Sequence, residues 1–342
     1  MKTTAISVIL VAVMAVAACS SGGANVSGSD ETPLETRNVL VSLDWIIGGQ
    51  HAPFFVAVDK GFYADEGIEA EITRGYGSGD TVRRVASAKA DFGFADSGPL
   101  ISAAAEAVLG VRAVAALYGE PPHAIFYNED SKITTPKDLE GKTLADSASS
   151  AVRLLWPAFA RANGIDMDKV RWQIVDPTAV TPSLLSKSVD GVGQFTVSSV
   201  TLHNGAEAAG MKIGRMLYSD HGLSFYGNSL LARDETIKDD PDLVRRFVAA
   251  TIKGYEYALE HQDEAIEIFH KYQSDVNPKV AAEELRLVSE LVLTDEASKH
   301  GIGHIDPDRW EETFKLLSEG KDVGAVTAED LYTTEFLPEP GN

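Results

Sequence analysis

From Val39 to Phe195 the chain alternates short β-like runs with stretches of helical periodicity, and this alternation constrains the fold most tightly. Strands are expected over 39–43, 69–72, 90–95 and 111–117, with helices over 53–63, 80–88 and 99–109 between them. Gly61 is expected to close the first of these helices. A strand reached through a helix of this length pairs most readily in parallel, so the pattern implies βαβ units and a sheet covered on both faces. A second series follows, with strands over 124–127, 142–145, 170–175 and 190–195 and helices over 149–163 and 179–186. Thr135 and Pro136 have the chemistry of a helix start, a capping hydroxyl followed by proline at the first helical position. One more strand is expected near 225–232, after which helices dominate, over 241–272, 278–291 and 307–317. Two α/β lobes account for this order. Ligands of such sheets bind beyond the carboxyl ends of the strands, where helices begin.

The start of the chain points to export. Lys2 precedes Ala5–Ala18, an uncharged apolar run too short for a stable membrane span but suited to a signal peptide over 1–18. The run ends Val16-Ala17-Ala18-Cys19, which resembles the bacterial lipobox, where the thiol is acylated and becomes the new N-terminus. Cys19 is the only cysteine, so its acylation leaves no thiol for a disulfide or a metal site. The polar stretch that follows has too few apolar residues to fold, and 19–37 is read as a flexible tether. A formal net charge of −21 argues against nucleic acid and anionic lipid surfaces as partners.

Several strand-to-helix junctions could carry chemistry. Asp44, Trp45 and His51 follow the first strand: a carboxylate that accepts N–H groups, an indole that stacks on a flat ligand, and an imidazole. Trp45 could equally be core and His51 a cap. The run Gly77-Ser78-Gly79-Asp80 could aim backbone N–H groups inward at a helix start, or be an ordinary capped turn. Asp96 and Ser97 end the third strand, and Ser149 and Ser150 open a helix of the second series. In each pair capping competes with ligand contact. Gln194, Phe225 and Tyr226 lie at strand ends near the expected crossings between lobes. There is no Gly-x-Ser-x-Gly nucleophile elbow and no His-Glu-x-x-His zinc pair. The eight histidines are dispersed; only His300 and His304 are four apart, with glycines between, and no metal is assigned.

The order Leu43-Asp44-Trp45, His51, Phe55-Val56-Ala57, Lys60-Gly61-Phe62-Tyr63 and Glu66-Gly67-Ile68 resembles the opening of the NMT1/THI5-like solute-binding proteins. Lys89-Ala90-Asp91-Phe92-Gly93, Asp138-Leu139-Glu140-Gly141-Lys142 and Asp190-Gly191-Val192 resemble later signposts of that family. The resemblance covers roughly residues 39–235. It implies the type II periplasmic binding protein fold, with two doubly wound α/β lobes joined by two crossover strands. Lobe I is then expected over 38–119 and 228–342, and lobe II over 120–227. The implied partners are a small-molecule solute, an ABC permease with its ATPase, and the membrane through the lipid anchor. The domain is expected to be a monomer without a cofactor. Carried over position by position, Asp44, Trp45 and His51, the 77–80 turn, Asp96-Ser97 and Ser149-Ser150 match the ligand-side loops. Pyrimidine binders usually carry Pro-Asn or a similar polar pair between the tryptophan and the histidine; here Ile46-Ile47-Gly48-Gly49 stands there.

The expected ligand is small, flat, nitrogen-bearing and neutral or weakly cationic, like a pyrimidine precursor of thiamine. The alternative is a sulfonate, taurine or nitrate held at the helix starts, and a role in sensing rather than transport is also compatible. A synthase is a remote third reading. The fungal enzymes that resemble this fold use a lysine after the third strand and a histidine four residues on, where this chain has Ala95 and Pro99.

Overall fold

The computed structural model describes residues 35–105 and 110–339. The signal run, Cys19 and most of the expected tether lie outside the described residues. Arg37, expected as the end of the tether, is instead the first residue of a strand.

Among the described residues, ten strands form two five-stranded sheets. The first holds β1 (Arg37–Ser42), β2 (Ile68–Thr73), β3 (Phe92–Asp96), β4 (Val111–Ala116) and β10 (Asn228–Arg233), in the order β2-β1-β3-β10-β4. The second holds β5 (His123–Asn128), β6 (Thr143–Asp146), β7 (Arg171–Ile174), β8 (Gly191–Phe195) and β9 (Ile213–Leu217), in the order β7-β6-β8-β5-β9. The parallel pairs β1–β2, β1–β3, β6–β7 and β6–β8 are those the alternation implied. The sheets are nonetheless mixed. β10 runs antiparallel to β3 and β4, and β5 antiparallel to β8 and β9. The physical reason is that each sheet contains a strand that arrives from the other lobe, and such a strand need not follow the parallel rule of a local crossover. β9 escaped the sequence reading: it is an edge strand, half-exposed, with Gly214 and Arg215 at its centre.

Helices α1 (Ala52–Asp59), α2 (Phe62–Asp65), α3 (Ser78–Ala86) and α4 (Ser97–Ala105) accompany the first sheet, and α5 (Ala151–Leu154), α6 (Trp156–Ala162), α7 (Val180–Leu185) and α8 (Val200–Ala208) the second. After β10 come α9 (Asp234–Asp239), α10 (Pro241–Glu260), α11 (Gln262–Tyr272), α12 (Pro278–Val292), α13 (Asp295–His300) and α14 (Pro307–Ser318). Gly61, at φ +79°, ends the first helix as expected, in the left-handed conformation a glycine adopts without steric cost. The single helix expected over 149–163 is two, and the one expected over 241–272 is also two, broken at His261. In the first case Pro157 sits in the opening turn of α6, where its missing N–H costs least.

One apolar core joins α1, α10, α11 and α12 to one face of the first sheet. There Phe92 stacks on Phe247 at 3.9 Å and Phe54 meets Phe94 edge to face. A second core lies on the opposite face and continues through Leu155, Trp156 and Phe159 into the other lobe. The chain passes between lobes over 117–122 and 218–227. These two crossings are zipped together: Tyr118 N–H donates to the Asn228 carbonyl at 2.9 Å, and Gly227 N–H to the Tyr118 carbonyl at 2.9 Å. Among the described residues no helix is long and apolar enough to cross a membrane.

Candidate functional site

The carboxyl ends of β1 and β3 face those of β6 and β8 across the gap between lobes, and a small cavity lies there. The first lobe supplies Asp44, Trp45, Gln50, Ser78 and Tyr118. The second supplies Ser150, Ala151, Gly193, Gln194, Phe195, Val197 and Ser198. Three aromatic side chains thus share the walls with a ring of hydroxyls and amides. Among the described residues, Asp44 is the only charged one lining the space. The cavity volume is about 20 Å³, room for little more than a water molecule.

Asp44 is held rigidly. His51 Nε2 lies 2.8 Å from its Oδ1, and Asn228 Nδ2 donates to its Oδ2 at 2.9 Å. Gly48 N–H points at His51 Nδ1, 3.3 Å away, so Nδ1 accepts and the ring hydrogen sits on Nε2. His51 then donates its Nε2–H to Asp44 Oδ1. His51 is fully buried behind Asp44, with its ring edge-on to Phe94. Tyr118 is buried, and its hydroxyl has no hydrogen-bond partner within the protein. Burial pushes its pKa well up, with the charge of Asp44 adding to the effect, so it stays a neutral O–H. A donor-rich ligand is what this arrangement can hold: a carboxylate and unfilled oxygen acceptors, with indole and phenyl faces around them.

The predicted residues divide into groups. Asp44, Trp45, Ser78, Ser150 and Gln194 line the cavity. Gly77, Gly79 and Ser149 instead form the contact between lobes at its edge. Gly79 N–H donates to the Ser149 carbonyl at 3.0 Å, and Arg83 donates to Ser149 Oγ at 2.9 Å. Gly77 is at φ +123°, and any β-carbon there would collide with the Ser149 backbone. Asp80 is half-buried in the first turn of α3 and does not line the cavity. Asp96 lies one layer down: its N–H donates to Ser78 Oγ at 3.2 Å, and its Oδ2 approaches His123 Nε2 of the second lobe at 3.4 Å. Ser97 binds the Gly227 carbonyl and Ser229 within the protein. Phe225 is core beside His123. Tyr226 is turned away altogether, its hydroxyl donating to Glu296 and its ring covered by the Arg309 guanidinium at 4.3 Å. Asp80, Asp96, Ser97, Phe225 and Tyr226, expected to face the ligand, do not line this cavity. Capping, strand-end bonding and core packing absorb these side chains.

Tyr118 and Glu284 carry no local signal in sequence. Tyr118 lies on a crossing segment, and Glu284 on α12, far along the chain. Glu284 is buried and accepts from Gly49 N–H at 2.6 Å. A β-carbon on Gly49 would collide with the Ala281 backbone. Gly48 and Gly49 thus let α12 press directly onto the loop after Trp45.

The family model described as NMT1/THI5 like matches residues 49–265. The chain belongs to the NMT1/THI5-like family. It is similar over nearly its whole length to several named relatives. The formylaminopyrimidine-binding protein of Halalkalibacterium halodurans is 25% identical, covering 98% of this chain and 99% of that one. The riboflavin-binding protein RibY of Chloroflexus aurantiacus is 24% identical over 99% of each. A 4-amino-5-hydroxymethyl-2-methylpyrimidine phosphate synthase of Legionella pneumophila is 23% identical over 90% of this chain and 94% of its own. Among solved structures, a Candida albicans protein with the generic periplasmic binding protein fold superposes with a TM-score of 0.67 at 16% identity, covering 90% of this chain and 99% of that one. The fold is therefore that of a periplasmic binding protein.

Proposed function

We propose that this chain is the extracytoplasmic solute-binding protein of an ABC importer and captures a small, flat, nitrogen-bearing heterocycle between its lobes. The observation that carries this reading is the cavity itself. It draws its walls from both lobes, surrounds the space with Trp45, Tyr118 and Phe195, and presents Asp44 as its only charge among the described residues. A ligand touching both lobes at once stabilises the closed state, which is how such a clam couples binding to closure. A ring bearing amino or ring N–H donors, neutral or cationic, complements Asp44. Relatives named for binding a formylaminopyrimidine and riboflavin support a heterocycle.

The cavity is a poor match for a sulfonate or nitrate. Among the described residues no lysine or arginine lines it, and at the start of α3 the Gly79 N–H already donates to the Ser149 carbonyl. A synthase role has less support: Ala95 and Pro99 offer no amine or imidazole at the positions that the resemblance implies. The expected lobes are 38–119 with 228–342, and 120–227. Export by the signal run and acylation at Cys19 would hold the domain at the outer face of the membrane.

The test is binding by the purified protein, measured by thermal shift and calorimetry against aminopyrimidines, riboflavin, taurine and nitrate. An amino-substituted ring or a flavin raises the melting temperature and is recovered unchanged; taurine and nitrate do not shift it. Asp44→Asn weakens ring binding roughly 10- to 100-fold, the scale of one hydrogen bond to a charged group. Binding of the anions alone, or undiminished ring binding by Asp44→Asn, would sink the proposal.

A further inference from the structure

The cavity does not end at its inner walls. Trp45, Gln50, Gln194 and Ser198 line it on one side and a second, wider groove on the other. This outer groove has a volume of about 630 Å³ and runs between the 46–48 loop, α7 and the start of α12. Its charged lining residues are Asp275 and Glu284; among the described residues no lysine, arginine or histidine lines either compartment. At the junction sits Gln50, 5% exposed, whose Oε1 has no hydrogen-bond partner. A buried amide oxygen without a donor carries a desolvation cost that a ligand group can relieve.

We propose that the ligand is a two-part molecule, a flat ring in the inner cavity bearing a substituent rich in hydroxyl or amino groups that passes the Gln50 neck into the outer groove, and that phosphorylated forms are rejected. This rests on reading the inner cavity as the ring site. The chemistry of the groove selects the substituent. A hydroxyl or amine reaching Gln50 donates to the free Oε1, and further donors find Glu284 and Asp275. A phosphate ester or carboxylate in the same place meets the Asp275 carboxylate beside the Glu284 carboxyl, with Asp44 behind them and, among the described residues, no lining cation to offset the repulsion. Burial holds the Glu284 carboxyl up at about 7, so it accepts a donor as a carboxylate or gives its own proton to a hydroxyl. Gly48 makes the arrangement possible: a β-carbon there would come within 2.6 Å of Glu284 Oε2 and also strike the Gln50 amide.

The experiment uses two ring series with the purified protein: lumichrome, riboflavin and flavin mononucleotide, and 4-amino-2,5-dimethylpyrimidine, its 5-aminomethyl counterpart and the 5-hydroxymethyl phosphate ester. In the series whose ring binds, the donor-bearing member is expected to bind at least tenfold tighter than the bare ring. The phosphate ester is expected to bind at least a hundredfold more weakly than the donor-bearing member. The double variant D275N/E284Q should narrow that second gap by tenfold or more. If the bare ring binds but the substituent changes nothing, or the phosphate ester binds as well as the donor-bearing compound, this inference is overturned while the ring site stands. If no member of either series binds, the ring site falls and this inference with it.

Discussion

At the scale of single residues, the junctions between strand and helix serve two purposes that sequence does not separate. Ser78 and Ser150 point into the cavity, whereas their neighbours Gly77, Gly79 and Ser149 hold the lobes together. Gly77 is the sharpest case. Its φ of +123° lies in a region almost reserved for glycine, and the Ser149 backbone occupies the place a side chain would take. Gly77→Ala is therefore expected to cost about 1–3 kcal/mol of stability through backbone strain, and also to hold the lobes apart. Ligand affinity should fall at least tenfold in calorimetry. Gly61→Ala is the control. It is also strained, at φ +79°, but has open space around it and lies away from the cavity. It should lower the melting temperature and leave affinity unchanged. Asp44 and Trp45 were legible because a polar and an aromatic residue at a strand end have few other uses. Asp96 and Tyr226 looked equally eligible, and only the fold shows that Asp96 Oδ1 accepts from Gly98 N–H and that the Tyr226 hydroxyl donates to Glu296.

At the scale of elements, β6 ends on a buried carboxyl. Asp146 is fully buried, its Oδ1 accepts from Ser147 N–H at 2.7 Å, and its Oδ2 has no partner. Burial pushes its pKa up to about 8, against 3.8 for a free side chain. The unfolded chain gives up this proton first as pH rises, so between those two values the folded state becomes progressively less favoured. Glu284 on α12 acts in the same direction, up to about 7. Thermal unfolding should accordingly show a higher melting temperature at pH 5 than at pH 8. Asp146→Asn should flatten that decline and raise stability at pH 8. A flat wild-type profile would mean that Asp146 is ionised in the folded state. The elements themselves were legible where periodicity was strong. β9 and the breaks in the long helices were not, because an edge strand needs little hydrophobic alternation. A helix break at His261 depends on how α10 and α11 pack rather than on a proline or glycine.

At the scale of the whole molecule, every residue lining the inner cavity falls between Asp44 and Ser198, well inside the described residues. Binding should then be independent of how the chain is attached to the membrane. Cys19→Ser is expected to move the protein from the membrane fraction to the soluble fraction, with ligand affinity unchanged; retention in the membrane fraction would argue against acylation at Cys19. The sequence by itself determined the alternating α/β pattern, the two series, the family and the part of the cleft built by the loop after β1. These are written locally, in runs of a few residues whose period or spacing carries the meaning. Only the tertiary structure decided the rest. It brought Tyr118 from a crossing segment and Glu284 from a distant helix to the same gap, turned β5 and β10 antiparallel, and made a lobe contact out of Gly77, Gly79 and Ser149. The reason is physical: a side chain's role there depends on which partner reaches it first across the fold, and that partner can lie hundreds of residues away, as Asn228 does from Asp44.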